Sequence, residues 1–347
     1  MPDSAKDRGR PIRVEDVARA AGVSPITVSR ALSAPHKVRL ETRERVAEAV
    51  ASTGYIVNSI ASTLKSGRSS IVTVFVASMQ NPHLATTVQG IIDAFSGSRF
   101  HLMFAQTGYN DELHPEIIEP VLPFRPAGMA LIGVGCDRAT RKALLNLDLP
   151  VVETGERSHP IDMQVQISSF EAGRLMGEHF GRQGFARVAF CGHTLGHGAE
   201  RLRGFHAGLQ IFRLRPELVL PIEGAQSFED GVSSLRHILS KLSECDAIFY
   251  GTDLLAMGAL MEARHGSADG LKLPAIAGYG DLDFAEHLVP ALTTIRVPNY
   301  DIGRRAGEML RRRLEGETVE EPIVHLPVQL LARESTANSV HQPRAMY

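Results

Sequence analysis

The stretch GVSPITVSRALS, residues 22–33, sets a proline where the apolar spacing asks for a helix. In a helix interior proline removes a hydrogen bond and clashes with the preceding turn. At the first helical position its missing N–H has no intrahelical partner to lose. Ser24, just ahead, is a favoured N-cap, so the pattern predicts that Pro25 opens a helix. On that helix Val28, Ala31 and Leu32 share one face, which leaves Pro25, Ile26, Ser29 and Arg30 outward. An outward isoleucine without an apolar neighbour asks for a partner from outside the chain.

The flanks complete a small unit. Val14, Val17, Ala18 and Ala21 fall at i, i+3, i+4 and i+7, one helical face, and Gly22-Val23 follows as a turn. A third apolar pattern, Val46, Ala47 and Val50, runs to Gly54. Two helices joined by a tight Gly-containing turn, with a supporting helix, is the helix-turn-helix layout. Charge agrees with a phosphate-facing head. Residues 1–70 carry 12 Lys+Arg against 7 Asp+Glu, whereas 25 against 32 remain for residues 71–347, under an overall net charge of −2. Residues 54–70, GYIVNSIASTLKSGRSS, contain no acid and read as a linker with one short helical possibility from Asn58 to Leu64.

After the linker, β-rich runs alternate with amphipathic stretches. The runs are IVTVFVA (71–77), FHLMFA (100–105), GMALIG (128–133), VVE (151–153), RVAFC (187–191), AIFYG (247–251) and PAIAGY (274–279). Between them lie helical patterns such as Glu171–Gln183, Arg201–Phe212 and Leu254–Arg264. This alternation predicts an α/β fold of parallel sheets flanked by helices. Without a Walker or dinucleotide motif, it suits two stacked Rossmann-like lobes with a ligand cleft between them. The expected division is a helix-turn-helix domain at 12–56, a hinge helix and linker at 57–70, a two-lobed core at 71–337 and a tail at 338–347.

Several classes are set aside. The three cysteines, Cys136, Cys191 and Cys245, form no CxxC pair and read as core residues. No apolar run is long enough to span a bilayer, and the charged N-terminus has no signal-peptide core, so a cytoplasmic protein is expected. His193 and His197 are four apart, but the intervening TLG and the following Gly imply a loop, so no metal is expected. No Ser/His/Asp, Cys/His or phosphate-loop pattern rises above chance spacing, so neither an enzyme nor a cofactor is expected.

VEDVARAAGVSPITVSRAL and TRERVAEAVASTGYIVNSIASTLKSG in the head, with PVVETGE, FEAGRLMGEHF, RLRGFHAGL, GYGDLDFAEHLVPALTTIRVPNYDIGRRAGEML and HLPVQLLARES in order through the core, resemble the LacI/GalR family of bacterial transcription regulators. FAQTGYNDELHPEIIEPVL and PIDMQVQISSFEAGR have the flavour of the branch that resembles gluconate-operon repressors. The resemblance implies a homodimer whose heads bind a near-palindromic double-stranded operator. It also implies a two-lobed, periplasmic-binding-protein-like core that takes a small molecule altering operator affinity.

Carried over position by position, the resemblance places Pro25, Ile26, Ser29 and Arg30 at base edges and Thr27 and Ser33 at phosphates. Arginine pairs with guanine in the major groove and an apolar side chain meets a thymine methyl, which gives Ile26 a reason to face outward. The plainer reading of Arg30 is a solvated helix residue. Lys37, Arg39, Arg43 and Arg45 are phosphate-side charges or surface residues, and Arg39 replaces the usual Ser or Thr cap of the third helix. Leu64 matches the hinge leucine that wedges into the minor groove, and Asn58 the hinge cap and phosphate contact. Val57 stands where the family has Pro, a departure that loosens the hinge entry.

In the core Arg201 matches the effector-binding arginine, suited to a carboxylate or vicinal hydroxyls; a surface ion pair is the plainer reading. Thr252, followed by Asp253, stands where sugar-binding relatives have Asn. Gly280, followed by Asp281, stands where they have Asp, and Ser168-Ser169 replaces Asp-Asn. Losing carboxylates from the cleft points to an anionic ligand, since a buried anion facing Asp is repelled. Met79, His83, Glu153 and Gln226 are further candidates by position, although Glu153 counts against an anion unless paired. A repressor controlled by a sugar acid such as gluconate is therefore expected. The competing readings are control by a neutral or phosphorylated sugar, or a solute-binding protein, against which the head and the missing signal peptide count. The tail TANSVHQPRAMY has no heptad pattern, so a dimer is expected rather than a zipper-built tetramer.

Overall fold

The structure is a computed structural model that describes residues 12–55, 69–108, 112–156, 159–266 and 273–337. The chain divides into two compact units at Ser69/Ser70. In the first, helices α1 (Val14–Ala21), α2 (Pro25–Ser33) and α3 (Leu40–Thr53) enclose Val17, Ala18, Ala21, Val28, Ala31, Val46 and Ala49. Pro25 is the first residue of α2, behind Ser24, whose hydroxyl accepts the Thr27 N–H at 3.2 Å. Gly22 takes the left-handed φ of +64° that turns α1 into α2. Arg39 makes no side-chain cap to α3, in line with the substitution noted there. The third helix differs by one position from expectation: Ala49 is buried and Ala47 exposed, because Val46 and Ala49 are three apart on one face.

The second unit runs in the order β1 (Ile71–Val76), α4 (Pro82–Phe95), β2 (His101–Gln106), β3 (Glu112–Leu113), α5 (Pro115–Ile118), β4 (Gly128–Ile132), β5 (Gly135–Cys136), α6 (Arg138–Asn146), β6 (Val151–Thr154) and β7 (Met163–Gln166). It continues with α7 (Ser169–Arg182), β8 (Val188–Gly192), α8 (Gly196–Gln210), β9 (Pro216–Pro221), α9 (Phe228–Lys241), β10 (Ala247–Tyr250), α10 (Asp253–Gly266), β11 (Ala275–Gly280), β12 (Thr293–Arg296), α11 (Asn299–Leu314), β13 (Ile323–His325) and β14 (Gln329–Leu331).

Two six-stranded sheets form two lobes. Their orders, β13-β7-β6-β4-β1-β2 and β14-β12-β11-β10-β8-β9, are the same strand for strand. Every pairing within them is parallel except β12 with β14. The chain passes between lobes three times, from β7 to α7, from β12 to α11 and from β13 to β14. Lobe 1 buries Val72, Val74, Ala130, Val152 and Val165 under α4 and α11; lobe 2 buries Phe180, Phe190, Phe205 and Phe249 in a cluster of tilted and edge-on rings.

Backbone-close helix pairs set where the helices that carry site residues sit. A side chain at Gly173 or Gly177 of α7 would strike the α8 backbone at Arg201 or Phe205. One at Gly204 or Gly208 of α8 would strike α7 at Phe170 or Arg174. Four glycines therefore let α7 and α8 approach at backbone contact, which fixes the helix carrying Arg201. The pair α4 and α11 meets in the same way through Gly90 and Gly303.

Candidate functional site

On the head, the outer side of α2 carries Pro25, Ile26 and Arg30, all exposed, with Ile26 at 68% exposure, and Ser29 half-buried between them. Thr27 is half-buried, its hydroxyl 2.9 Å from that of Ser24, so it also supports the cap. Lys37, Arg39, Arg43 and Arg45 are exposed on the flanking segments. Ser33 ends α2. Asn58 and Leu64 lie outside the described residues, as do residues 56–68 generally.

In the core, the candidate residues gather at the C-terminal ends of the strands, where open α/β sheets place ligands. Arg201 lies in the second turn of α8 and is buried; one guanidinium nitrogen donates to the Gly251 carbonyl at 3.0 Å. Its guanidinium carbon sits 3.7 Å from the ring centre of Tyr279 on β11. Burial lowers the Arg201 pKa from its ordinary value, and Tyr279 opposes that shift. Its Nε has no hydrogen-bond partner among the described residues.

His83, second residue of α4, approaches from lobe 1. Asn299 Nδ2 lies 3.2 Å from its Nδ1, so with the amide donating, the proton of the neutral ring sits on Nε2. That Nε2 is buried and lacks a partner among the described residues, as does Gln226 Nε2. Burial first, and the Arg201 charge second, bring the His83 pKa down to about 4. Gln226 lies by Gly251, the carbonyl of which receives Arg201. The cleft thus joins His83, Arg201, Gln226, Gly280 and Tyr279, and three of its buried nitrogen donors have no partner among the described residues.

The acidic candidates are committed elsewhere. Glu153 is 2% exposed and accepts the Ile161 N–H at 2.6 Å within lobe 1; it pairs in register with Leu131, on the sheet face that carries α5 and α6. Asp253 is fully buried, accepting from Thr294 Oγ1 at 2.6 Å and from the Leu282 N–H at 2.7 Å. Burial raises its pKa to about 6 in spite of these two bonds. Asp281 holds Arg296 at 2.6 Å and Arg333 at 2.7 Å. The hydroxyls of Ser168 and Thr252 cap α7 and α10, accepting the Glu171 and Leu255 N–H groups. Met79 is exposed beyond β1 and its N–H donates to Gln106, so nothing joins it to the group around Arg201.

Three neighbours escaped the sequence reading. Tyr279 and Asn299 were hidden inside a strand run and a family motif. Glu156 sits two residues from Thr154 in the same PVVETGE segment that drew attention to Glu153; it accepts the Ser169 N–H at 3.2 Å, and its charge acts on Tyr279. Among the described residues no three His, Cys, Asp or Glu side chains group to hold a metal ion.

Comparison with known proteins decides the family. Residues 13–58 match "Bacterial regulatory proteins, lacI family" and residues 178–336 match "Periplasmic binding protein-like domain". The HTH-type transcriptional regulator GntR of Pseudomonas aeruginosa is 30% identical over 348 aligned residues, 96% of this chain and 98% of that one. The chain belongs to the LacI family. The Escherichia coli K12 regulator GntR is 29% identical over 91% of this chain and 96% of its own. A LacI-family regulator from Silicibacter pomeroyi superposes with a TM-score of 0.87 at 27% identity, covering 94% of this chain and all of that one. LacI-family regulators bind operator DNA and small-molecule effectors as dimers. The chain is accordingly a transcription regulator, with a LacI-type head on a periplasmic-binding-like core. Among the described residues no helix is long and apolar enough to cross a membrane.

Proposed function

We propose that this LacI-family protein is a cytoplasmic repressor that binds a palindromic operator as a homodimer and is controlled by a small sugar acid such as gluconate. The observation that carries the effector class is the cleft's imbalance: among the described residues Arg201 Nε, His83 Nε2 and Gln226 Nε2 are buried donors without partners, while Glu153, Asp253 and Asp281 are bonded elsewhere and Glu156 accepts the Ser169 N–H. A ligand rich in acceptors satisfies those donors, and leaving them unmet costs about 1–3 kcal/mol each. Arg201 supplies the charge for a carboxylate.

On the head, Pro25, Ile26, Ser29 and Arg30 read the major groove while Thr27 and Ser33 meet phosphates. Asn58 and Leu64, outside the described residues, serve the hinge, with Leu64 as the minor-groove wedge. Effector binding changes the relation of the lobes and lowers operator affinity by a coupling energy of about 1–3 kcal/mol. A thermal-shift screen with gluconate, its keto and phosphorylated relatives and neutral sugars tests the effector class, since a bound ligand raises the melting temperature. A shift with sugar acids alone supports it; a shift confined to neutral sugars overturns it.

A further inference from the structure

Two histidine–glycine contacts cross the cleft in opposite directions. His83 of lobe 1 covers Gly280, the last residue of β11 in lobe 2; a Cβ there would fall 1.8 Å from the His83 Cε1 atom. His197 of lobe 2 covers Gly155, just beyond β6 in lobe 1; a Cβ there would fall 2.9 Å from the His197 Nε2 atom. Both glycines have positive φ, +128° at Gly280 and +110° at Gly155, so each offers bare backbone in a conformation that side chains disfavour.

The two contacts are equivalent by fold. Strands β1, β4 and β6 hold the same places in lobe 1 as β8, β10 and β11 in lobe 2. Each histidine is the second residue of the helix that follows the first of these strands, α4 or α8, and each glycine lies at the end of the third. Lobe 1 thus gives a knob and a notch, and lobe 2 gives the matching notch and knob. Two such contacts at separate points restrain rotation of the lobes about more axes than either does alone.

We infer that His83 on Gly280 and His197 on Gly155 are reciprocal latches that hold the two lobes in their closed arrangement. The seats are backbone positions, so the latches need no ligand, and the inference stands apart from the identity of the effector. It assigns a role to His197, which the effector reading does not use, and to Gly155. A packed interface of this kind is bistable rather than continuously deformable, so loss of a latch shifts a population of closed molecules to open ones.

The test uses ligand-free full-length protein in a Cys136→Ser background, with spin labels at Glu119→Cys on lobe 1 and Glu223→Cys on lobe 2, diluted with unlabelled protein. Pulsed dipolar spectroscopy reads the distance between labels. His83→Ala and His197→Ala should each move the distribution to longer distances, and Gly155→Ala and Gly280→Ala should do so by propping the seats apart. Gly184→Ala, at a positive φ of +78° with nothing within 4 Å of the new Cβ, carries backbone strain without a clash and should leave the distance unchanged. Unchanged distributions in both histidine variants would overturn the latches, and opening in only one of them would overturn their reciprocity. The histidine variants carry the test if a glycine variant fails to fold.

Discussion

Arg201 lays its guanidinium 3.7 Å from the ring centre of Tyr279, and Tyr279 packs against the apolar cores of both lobes. The arginine therefore touches the residue that both lobes share. A cation over an aromatic face contributes about 0.5–2 kcal/mol, more when desolvated, as here. The proposed ligand contact at Arg201 would consequently act where the lobes meet.

Arg201→Lys keeps the charge and loses the planar fork and its stacking. Effector affinity should fall about tenfold or more, equivalent to about 1.4 kcal/mol, by isothermal titration, with ligand-free operator binding retained. Unaltered effector affinity would place the ligand elsewhere.

Arg30→Ala should cost about 1–3 kcal/mol of operator affinity and relax discrimination at one base pair per half-site, the amount expected of one bidentate base contact. Lys37→Ala should weaken operator and nonspecific DNA alike and lessen the salt dependence. Gel shifts on operator variants at several salt concentrations separate the two. A merely solvated Arg30 would leave the base preference intact.

The head and the strand–helix alternation were legible because short-range spacing decides them. Ser24 and Pro25 specify their helix start locally, and Val28, Ala31 and Val46 report their faces by periodicity. Local pattern fails where tertiary context governs. Strand β7 buries Gln164 and Gln166 in alternation with Met163 and Val165 and so has no apolar run, and β9 alternates half-buried and exposed residues between two prolines at the sheet edge. The start of α8 hid behind Gly196 and Gly198, poor helix formers. The site residues at Arg201, His83, Gln226 and Gly280 came from motif position, but their grouping did not. That Glu153, Asp253 and Asp281 are spent on Ile161, Thr294 and Arg333 depends on side-chain direction, which a sequence pattern does not give.

Gly173→Ala tests whether helix contact positions the site. The added Cβ would fall 1.9 Å from the Arg201 carbonyl oxygen, so α7 and α8 must separate. Overpacking of this kind costs about 1–3 kcal/mol, and the moved helix carries Arg201 with it. Both the melting temperature and effector affinity should drop, whereas Gly97→Ala, with a positive φ of +72° and open space around it, should lower stability alone.

Acid should destabilise the core through its buried histidines. His179 is 6% exposed and its Nε2 lies 2.7 Å from Thr336 Oγ1; burial, with Arg182 second, brings its pKa from 6.5 to about 4, as happens at His83. Between pH 6.5 and 4 the unfolded chain binds protons that the folded chain refuses, so stability present above pH 6.5 is lost as the pH falls through that window. Asp253 works the other way. Its folded pKa of about 6 exceeds the ordinary 3.8, so the folded state takes up its proton first and gains stability as the pH falls from about 6 towards 3.8. Two histidines against one aspartate leave a net loss of up to about 1.4 kcal/mol per pH unit across the shared range. His179→Gln should be less stable at pH 7.5, having lost its packing, yet show a shallower decline on acidification. Asp253→Asn should steepen that decline by removing the opposing proton uptake. Urea unfolding at half-unit steps from pH 4.5 to 7.5 measures each slope, and parallel curves for wild type and His179→Gln would remove His179 from the titration.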